Sequence, residues 1–157
     1  MSGDWALFRI DDRLIHGQVV SVWVPELKVK RILIIDDIVA QDPFLQKIYQ
    51  LSAPPGINID VYSVDQAANE VLLHSGHSNT LVVIRSPQTL YRLISKGFPV
   101  KSVNIGALGS TPERHLFYRN ICLSKPELDM LRDMQKSGLK IYFQRTPDEP
   151  IKYLEPA

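Results

Sequence analysis

The chain has 157 residues, which is enough for one domain with a substantial hydrophobic core. Its 18 lysines and arginines nearly balance its 17 acidic residues, so its overall charge gives no reason to expect binding to nucleic acid or to an anionic membrane surface. The single cysteine, Cys122, excludes an internal disulfide framework and a multi-cysteine metal site.

The first apolar run, Trp5 to Ile10, leads into a polar loop that carries two carboxylates, an arginine and a histidine. Gly17 then opens a pattern that predicts a helix with one apolar face, formed by Val19, Val20, Val22, Trp23 and Leu27. A strand, a loop and a helix in this order are a common setting for an anion site, because the first backbone N–H groups of a helix lack internal partners.

Apolar, strand-like runs and helix-period segments alternate through most of the remaining chain. We predict strands in the runs Arg31 to Ile35, Ile57 to Val64, Leu81 to Ile84 and Val100 to Ile105. The apolar faces of the intervening helices are Phe44, Leu45, Ile48, Tyr49 and Leu51, then Val71, Leu72 and Leu73 before Gly76, then Leu90, Leu93 and Ile94. Near-continuous apolar strands are typical of parallel strands covered on both faces. The alternation therefore predicts an α/β fold with a mostly parallel, doubly wound open sheet and helices on both faces.

The last third begins with His115 to Leu123, which we predict to be another strand. Ser124 and Glu127 have the spacing of a capping box at the start of a helix that Gly138 ends. A final strand is predicted in the run Lys140 to Arg145. No apolar run approaches the roughly 20 residues that span a bilayer, and no signal peptide is visible. We expect a cytoplasmic protein with one domain over residues 1–157, no insertion into the membrane, and no metal or cofactor.

Polar side chains follow several of the predicted strands. They are the loop Asp11 to His16, the pair Asp36-Asp37, the segment Arg85 to Pro87, and Asn104 and Gly106 before the loop at 107–112. Each group has an ordinary explanation, as a helix cap, a solvated strand end or a turn. Open α/β sheets bind ligands beyond the carboxyl ends of their strands, so together these groups predict an active edge.

His16 is the residue of this edge with the clearest chemistry. Its imidazole could attack phosphorus, with Arg13 and nearby N–H groups stabilising the phosphoryl oxygens. A histidine at a strand–helix junction could equally be a cap or a packed loop residue. The chain has no Walker or dinucleotide glycine motif and no Gly-x-Ser-x-Gly elbow, so nucleotide-binding enzymes and serine hydrolases have little support.

The stretch Arg9-Ile10-Asp11-Asp12-Arg13-Leu14-Ile15-His16-Gly17-Gln18-Val19 closely resembles the active-site signature of one family. This family comprises the enzyme IIB components of the mannose/fructose/sorbose class of the phosphoenolpyruvate-dependent sugar phosphotransferase system. Further family-like positions occur in order along nearly the whole chain: Ile34 to Ala40, Ala53 to Gly56, Ser86-Pro87, Val103 to Gly106 and Leu123-Ser124.

The resemblance implies that His16 is a phosphocarrier. It would accept a phosphoryl group on Nδ1 from the phosphohistidine of a IIA component and pass it to a sugar entering through membrane IIC and IID components. It also implies an antiparallel strand at one edge of the sheet and peripheral association with the membrane permease. The resemblance leaves the oligomeric state open, and a homo-oligomer is one possibility.

The roles of the neighbouring residues follow from this implied reaction. Arg13 would neutralise charge on the transferring phosphoryl oxygens, and the N–H groups around Gly17 and Gln18 would hold the product. Asp11 would fix the loop or Arg13, because a carboxylate aimed at the phosphoryl group would repel it. A basic rim for docking an acidic partner is predicted from Arg9, Arg85, Arg114 and His115, with Asp36, Asn104 and Gly106 as further candidates at the same edge.

The chain departs from the family pattern after Asn104-Ile105-Gly106. It continues with Ala107, Leu108 and Gly109, which affects the expected loop shape but not the histidine chemistry. Two alternatives stay open: a non-catalytic regulatory module that keeps the loop for an anion, and a small hydrolase that uses His16.

Overall fold

The computed structural model describes residues 4–17, 19–71 and 77–157. The strands in these ranges are β1 (Leu7–Asp11), β2 (Arg31–Ile35), β3 (Asn58–Tyr62), β4 (Thr80–Ile84), β5 (Ser102–Ala107), β6 (His115–Tyr118), β7 (Ile121–Leu123), β8 (Lys140–Phe143) and β9 (Lys152–Tyr153). Seven of them form one sheet in the order β3-β2-β4-β1-β5-β8-β9. All neighbours pair in parallel except β9, which runs antiparallel to β8 at the edge. This confirms the mostly parallel sheet and the antiparallel edge strand.

Helical segments connect the strands and cover the sheet. A π-helical segment, Val19–Trp23, continues directly into the short helix α1 (Val24–Glu26), where the sequence predicts one helix. The other helices are α2 (Asp37–Ala40), α3 (Pro43–Leu51), α4 (Val64–Val71), α5 (Pro87–Ser95) and α6 (Lys125–Lys136). The predicted helix end at Leu72, Leu73 and Gly76 lies outside the described residues. No helix in the described ranges has the length and apolar character needed to cross a bilayer.

The central strand β1 contributes to a different buried apolar cluster on each face of the sheet. Phe8 and Ile10 belong to the cluster that includes residues of α4, α5 and α6. Leu7 belongs to the cluster that includes residues of the π-helical segment and α2. Because successive side chains of a strand point to opposite faces, Arg9 and Asp11 share the face of Leu7.

One predicted strand is wrong, and one predicted helix has an apolar face that lies largely in solvent. The run His115 to Leu123 is not one strand but the antiparallel hairpin β6–β7, which turns where Arg119 adopts a positive φ of 48°. The predicted apolar face of α3 is not buried, because Phe44 and Leu51 are 73% and 77% exposed and only Leu45 and Tyr49 pack against the core.

The helix caps agree with the sequence. The Ser124 hydroxyl accepts a hydrogen bond from Glu127 N–H, and the Glu127 carboxylate accepts one from Ser124 N–H, as the predicted capping box requires. Asp36 caps α2 by accepting a hydrogen bond from Val39 N–H at 3.0 Å.

Candidate functional site

The carboxyl ends of the parallel strands lie at one edge of the sheet, which is the edge where the sequence predicts a site. The loop from Asp12 to His16 leaves the end of β1, which is the middle strand of the seven. β1 is flanked by β4 and β5, and the connections from β1 and from β4 lead to opposite sides of the sheet. The histidine loop therefore lies at a point where the direction of the chain across the sheet changes, which is where such folds bind ligands.

A tight turn brings the loop back onto the end of β1. Leu14 N–H donates to the Asp11 carbonyl at 2.9 Å, and Arg13 N–H donates to Asp11 Oδ1 at 3.0 Å. Leu14 has a φ of 58°, a left-handed conformation that costs a non-glycine residue about 1–2 kcal/mol. Its side chain is completely buried, and that burial offsets the backbone strain.

The turn places His16 against Asp11. Its Nε2 lies 2.7 Å from Asp11 Oδ2, and its side chain is 16% exposed. A carboxylate accepts hydrogen bonds, so this contact favours the tautomer in which Nε2 carries the proton and Nδ1 has the free electron pair. Within the described residues, no group hydrogen-bonds Nδ1 of His16. The structure thus supports a fixing role for Asp11, but the group that it fixes includes the histidine as well as Arg13.

Arg13 lies at the outer side of the same carboxylate. Its Nε is 3.8 Å from Asp11 Oδ1, and its side chain is 57% exposed. A mostly solvated guanidinium contributes little to stability through such a contact. Its contact with Asp11 is therefore weak enough to leave the guanidinium free to turn.

Arg9 is not part of an exposed rim, and that prediction is wrong. Its side chain is completely buried, and its guanidinium donates to Asp11 Oδ2 through both Nε and Nη2 at 3.3 Å. Its Nη1 donates to Asn104 Oδ1 at 2.8 Å and to the Gln144 carbonyl at 3.2 Å. Burial lowers the pKa of Arg9, and the charge of Asp11 opposes that shift.

Asn104 and Gly106 are also buried within β5, so neither forms an exposed rim. Asn104 Nδ2 donates to the Gln144 carbonyl at 2.9 Å, which ties β5 to the end of β8. Gly106 is the extra residue of a bulge, because Ile10 pairs with Ile105 whereas Asp11 pairs with Ala107. A Cβ on Gly106 would overlap the Arg9 guanidinium.

Arg85 and Arg114 lie at the edge, but each is paired with a carboxylate. Arg85 holds Asp36 through two hydrogen bonds of 3.0 and 3.2 Å, so buried Asp36 is a cap and ion-pair partner rather than a docking residue. Arg114 holds Glu127 through two hydrogen bonds of 2.9 Å. These hydrogen bonds raise the pKa of Arg85 and of Arg114. The charge of the predicted basic rim is therefore largely balanced within the protein.

The remaining predicted site residues surround His16 more loosely. Gly17 is exposed, and a Cβ at that position would meet nothing within 4 Å, so the space beside His16 is open. Gln18 lies outside the described residues. Asp12 Oδ2 accepts a hydrogen bond of 2.7 Å from Gly109 N–H, which fastens the histidine loop to the atypical segment Ala107-Leu108-Gly109. Within the described residues, no group of three or more His, Cys, Asp and Glu side chains could hold a metal ion.

Three contributors to the site were not predicted. The left-handed conformation of Leu14 has no signal in the sequence, because leucine is not a residue that favours positive φ. Gln144 acts through its backbone carbonyl, which any residue could supply. Trp23 covers the guanidinium of Arg9 at 5.7 Å from its ring, and it donates from Nε1 to the Arg145 carbonyl at 3.0 Å. The sequence predicted that Trp23 belongs to an apolar helix face, but it did not indicate that the ring would cover Arg9.

The arrangement has the groups that nucleophilic transfer requires. It offers one imidazole nitrogen to an incoming group, holds the other nitrogen on a carboxylate, and keeps a flexible cation at the mouth. The carboxylate that could otherwise activate a water molecule is already occupied by Arg9, Arg13 N–H and His16.

Comparison with known proteins agrees with this chemistry. The family model described as "PTS system sorbose subfamily IIB component" matches residues 5–156. The N-acetylgalactosamine-specific phosphotransferase enzyme IIB component 1 of Escherichia coli (strain K12) is 27% identical over 144 residues, with 91% of each chain covered.

Two solved structures share the fold over nearly their whole length. The crystal structure of manxB from Thermoanaerobacter tengcongensis has a TM-score of 0.86 at 33% identity and covers 97% of this chain and 94% of its own. The crystal structure of the N-acetylgalactosamine-specific IIB component 1 from Escherichia coli has a TM-score of 0.89 at 26% identity and covers 96% and 99%. The chain therefore belongs to the sorbose-subfamily IIB components of the phosphotransferase system, which are phosphotransferases of sugar uptake.

Proposed function

We propose that His16 is the phosphoryl carrier of this IIB component and that Nδ1 is the atom that carries the group. In the first step, Nδ1 attacks the phosphorus of a phosphohistidine on a IIA component. The new Nδ1–P bond forms as the N–P bond of the donor breaks, and the donor imidazole keeps that electron pair. In the second step, a sugar hydroxyl oxygen attacks the phosphorus, the Nδ1–P bond breaks with its electron pair returning to Nδ1, and the hydroxyl proton passes to water.

The observation that carries this proposal is the 2.7 Å contact between His16 Nε2 and Asp11 Oδ2. It supports the tautomer with a free electron pair on Nδ1 before transfer. After transfer, the imidazole ring carries a phosphoryl group on Nδ1 and a proton on Nε2, and the same carboxylate stabilises that proton. One fixed group thus serves both states of the carrier.

Arg13 has the complementary role. The transferring phosphoryl group is loosely bonded to both nitrogens at the transition state, and its charge is spread over three equatorial oxygens. A guanidinium next to His16 that is 57% exposed can reach these oxygens without breaking a strong internal pair. The exposed Gly17 leaves the approach to His16 free of a side chain.

The partners follow from the family. Phosphotransferase-system IIB components work with a IIA component and with membrane IIC and IID components. We propose that this chain receives its phosphoryl group from a IIA component and acts at the cytoplasmic side of a IIC/IID permease, with the histidine edge facing each partner in turn. The residues at that edge are mostly charge-balanced, so docking would depend on shape as well as on charge.

Labelling by the phosphotransfer cascade tests the proposal. The protein would be incubated with enzyme I, HPr, a mannose-family IIA and labelled phosphoenolpyruvate, beside His16→Ala and His115→Ala. His115 is the control histidine. It is exposed at the start of β6 and belongs to the predicted rim, so its loss can slow docking but removes no carrier nitrogen. We expect an acid-labile, base-stable label on the wild type and on His115→Ala at full extent, and none on His16→Ala.

The alternatives give different results. Label on His16→Ala would show that a residue other than His16 carries the phosphoryl group. Release of inorganic phosphate faster than transfer to a sugar would favour a hydrolase. Absence of label on the wild type, with its cognate IIA fully phosphorylated, would favour a regulatory module.

A further inference from the structure

We infer that Arg9 is a positioning residue for phosphoryl transfer, because it supplies the permanent counter-charge of Asp11 and so leaves His16 free to be neutral. This inference rests on the proposed role of His16. It replaces the sequence-based expectation of an exposed arginine with a buried one that acts through a carboxylate.

The burial of Arg9 is the first observation. A completely buried guanidinium is stable only when it is paired and its N–H groups are hydrogen-bonded. Arg9 meets both conditions, with two donations to Asp11, one to Asn104 and one to the Gln144 carbonyl. These partners come from β1, β5 and the end of β8, so three elements are built around one cation.

The fit around the guanidinium is the second observation. Gly106 stands at the bulge of β5 where a Cβ would overlap Arg9, and the Trp23 ring lies 5.7 Å from the guanidinium carbon. Glycine in a buried strand normally weakens it. Its presence here is explained by the space that the guanidinium occupies.

The third observation is that Arg9 and His16 share one oxygen. Both contact Asp11 Oδ2, Arg9 at 3.3 Å and His16 at 2.7 Å. Arginine stays protonated, so it neutralises the buried carboxylate whatever the state of the imidazole. Without Arg9, the completely buried Asp11 would draw a second charge toward itself, and the nearest source is a proton on His16. A protonated imidazole has no free electron pair and cannot attack phosphorus.

The other charged groups near this pair do not replace Arg9. Arg13 contacts the opposite oxygen, Oδ1, with its guanidinium at 3.8 Å and mostly in solvent. From β8, Tyr142 lies near Arg9, and burial raises the pKa of its hydroxyl, so it stays neutral. Asp12, which interacts with Arg85 and Arg114, belongs to the adjoining loop and adds negative charge at the edge.

The test is the pH dependence of the labelling rate, expressed relative to wild type so that the behaviour of the donor cancels. In Arg9→Met, we expect the half-maximal rate to move about one unit to higher pH, with a loss that approaches about tenfold at pH values below both midpoints and disappears in alkaline solution. In Arg9→Lys, which keeps the charge, the midpoint should stay near that of the wild type. A loss by the same factor at every pH in Arg9→Met would show a merely structural role and overturn the inference.

A second variant keeps the inference testable if Arg9→Met does not fold. Gly106→Ala should displace the guanidinium without removing it, and it should move the midpoint in the same direction. In a double-mutant cycle, Gly106→Ala should add little to Arg9→Met, because the displaced group is already gone. Additive shifts, or an unchanged midpoint in Gly106→Ala alone, would overturn the inference.

Nitrogen-15 NMR of the His16 ring separates this inference from the proposed function, because it needs no phosphoryl donor. We expect the proton on Nε2 in the neutral wild-type ring, and a ring that stays protonated to higher pH in Arg9→Met. If these signals behave as expected but wild type is never labelled, the proposed function fails, and only the effect of Arg9 on the protonation of His16 stands. If labelling succeeds but the ring signals are the same in both proteins, the positioning role fails.

Discussion

Replacing Asp11 by asparagine keeps the shape of the side chain and removes the charge on which both Arg9 and His16 depend. In the wild type, one carboxylate accepts hydrogen bonds from Arg9, from Arg13 N–H and from His16. Asparagine retains one carbonyl oxygen and adds two N–H donors. It cannot satisfy all three partners, and its amide nitrogen would favour the His16 tautomer with the electron pair on Nε2.

The cost in stability follows from the burial of the pair. Arg9 and Asp11 are both completely buried, and removal of one partner of a buried ion pair costs about 3–5 kcal/mol. Arg9 keeps its contacts with Asn104 and the Gln144 carbonyl, so we expect a value near the lower end, about 3 kcal/mol. The effect on the transfer rate comes from the wrong tautomer, which lowers the rate about 10⁴-fold in a serine-protease triad. We expect about 10²–10³-fold here, since the imidazole acts as nucleophile and can still rotate.

Two assays separate these effects. Urea denaturation gives the free energy of unfolding, and the labelling rate is measured where the variant is folded. The control is Asp60→Asn, which breaks a 2.7 Å pair with Arg31 in which Asp60 is 44% exposed, so its loss should cost under about 1 kcal/mol and leave the rate unchanged. The reasoning about this carboxylate would be refuted by two results together. The free energy of unfolding of Asp11→Asn would lie within about 1 kcal/mol of the wild-type value, and its labelling rate would lie within about threefold of the wild-type rate.

Three further substitutions test other parts of the site. Arg13→Ala should change the free energy of unfolding by less than about 0.5 kcal/mol and lower the labelling rate at least tenfold, with partial recovery in Arg13→Lys; equal rates would contradict its proposed role. Gly17→Ala should not destabilise the protein, because the site is open, but it should slow labelling by crowding the approach to His16; unchanged kinetics would show that the approach lies elsewhere. Glu127→Gln should cost about 2–3 kcal/mol at pH 7, because it leaves Arg114 without its partner. Burial alone would raise the pKa of Glu127, but Arg114 and Ser124 N–H outweigh it and the pKa is lowered. The contribution to stability is therefore present above the unfolded value of about 4.3 and is lost as the pH falls through the folded value. In urea titrations, the difference between wild type and Glu127→Gln should shrink as the pH is lowered below about 4.3, and a constant difference would contradict the assignment.

The features that follow from local sequence were predictable. The apolar runs predicted the parallel strands, and the spacing of Ser124 and Glu127 predicted a cap whose two hydrogen bonds both form. The loop from Asp11 to His16 was placed correctly at the end of a strand. In each case the information lies within a few residues.

The features that could not be predicted from the sequence depend on the folded surroundings of each residue, which are formed by distant parts of the chain. An arginine is mostly exposed in proteins, and nothing near Arg9 shows that Asn104, 95 residues away, completes its binding site. Gly106 looked like a turn residue because the bulge that it forms depends on the register of β5 against β1. Leu14 adopts a conformation that leucine normally avoids, and only the burial of its side chain explains it.

The most direct test of the central claim is phosphorus-31 and nitrogen-15 NMR of the protein after phosphorylation by its IIA component. The position of Asp11 against Nε2 predicts a single phosphoryl group bonded to Nδ1 of His16, with the proton retained on Nε2. A phosphoryl group on Nε2 of His16, or on any other residue, would contradict the proposed function at its central step.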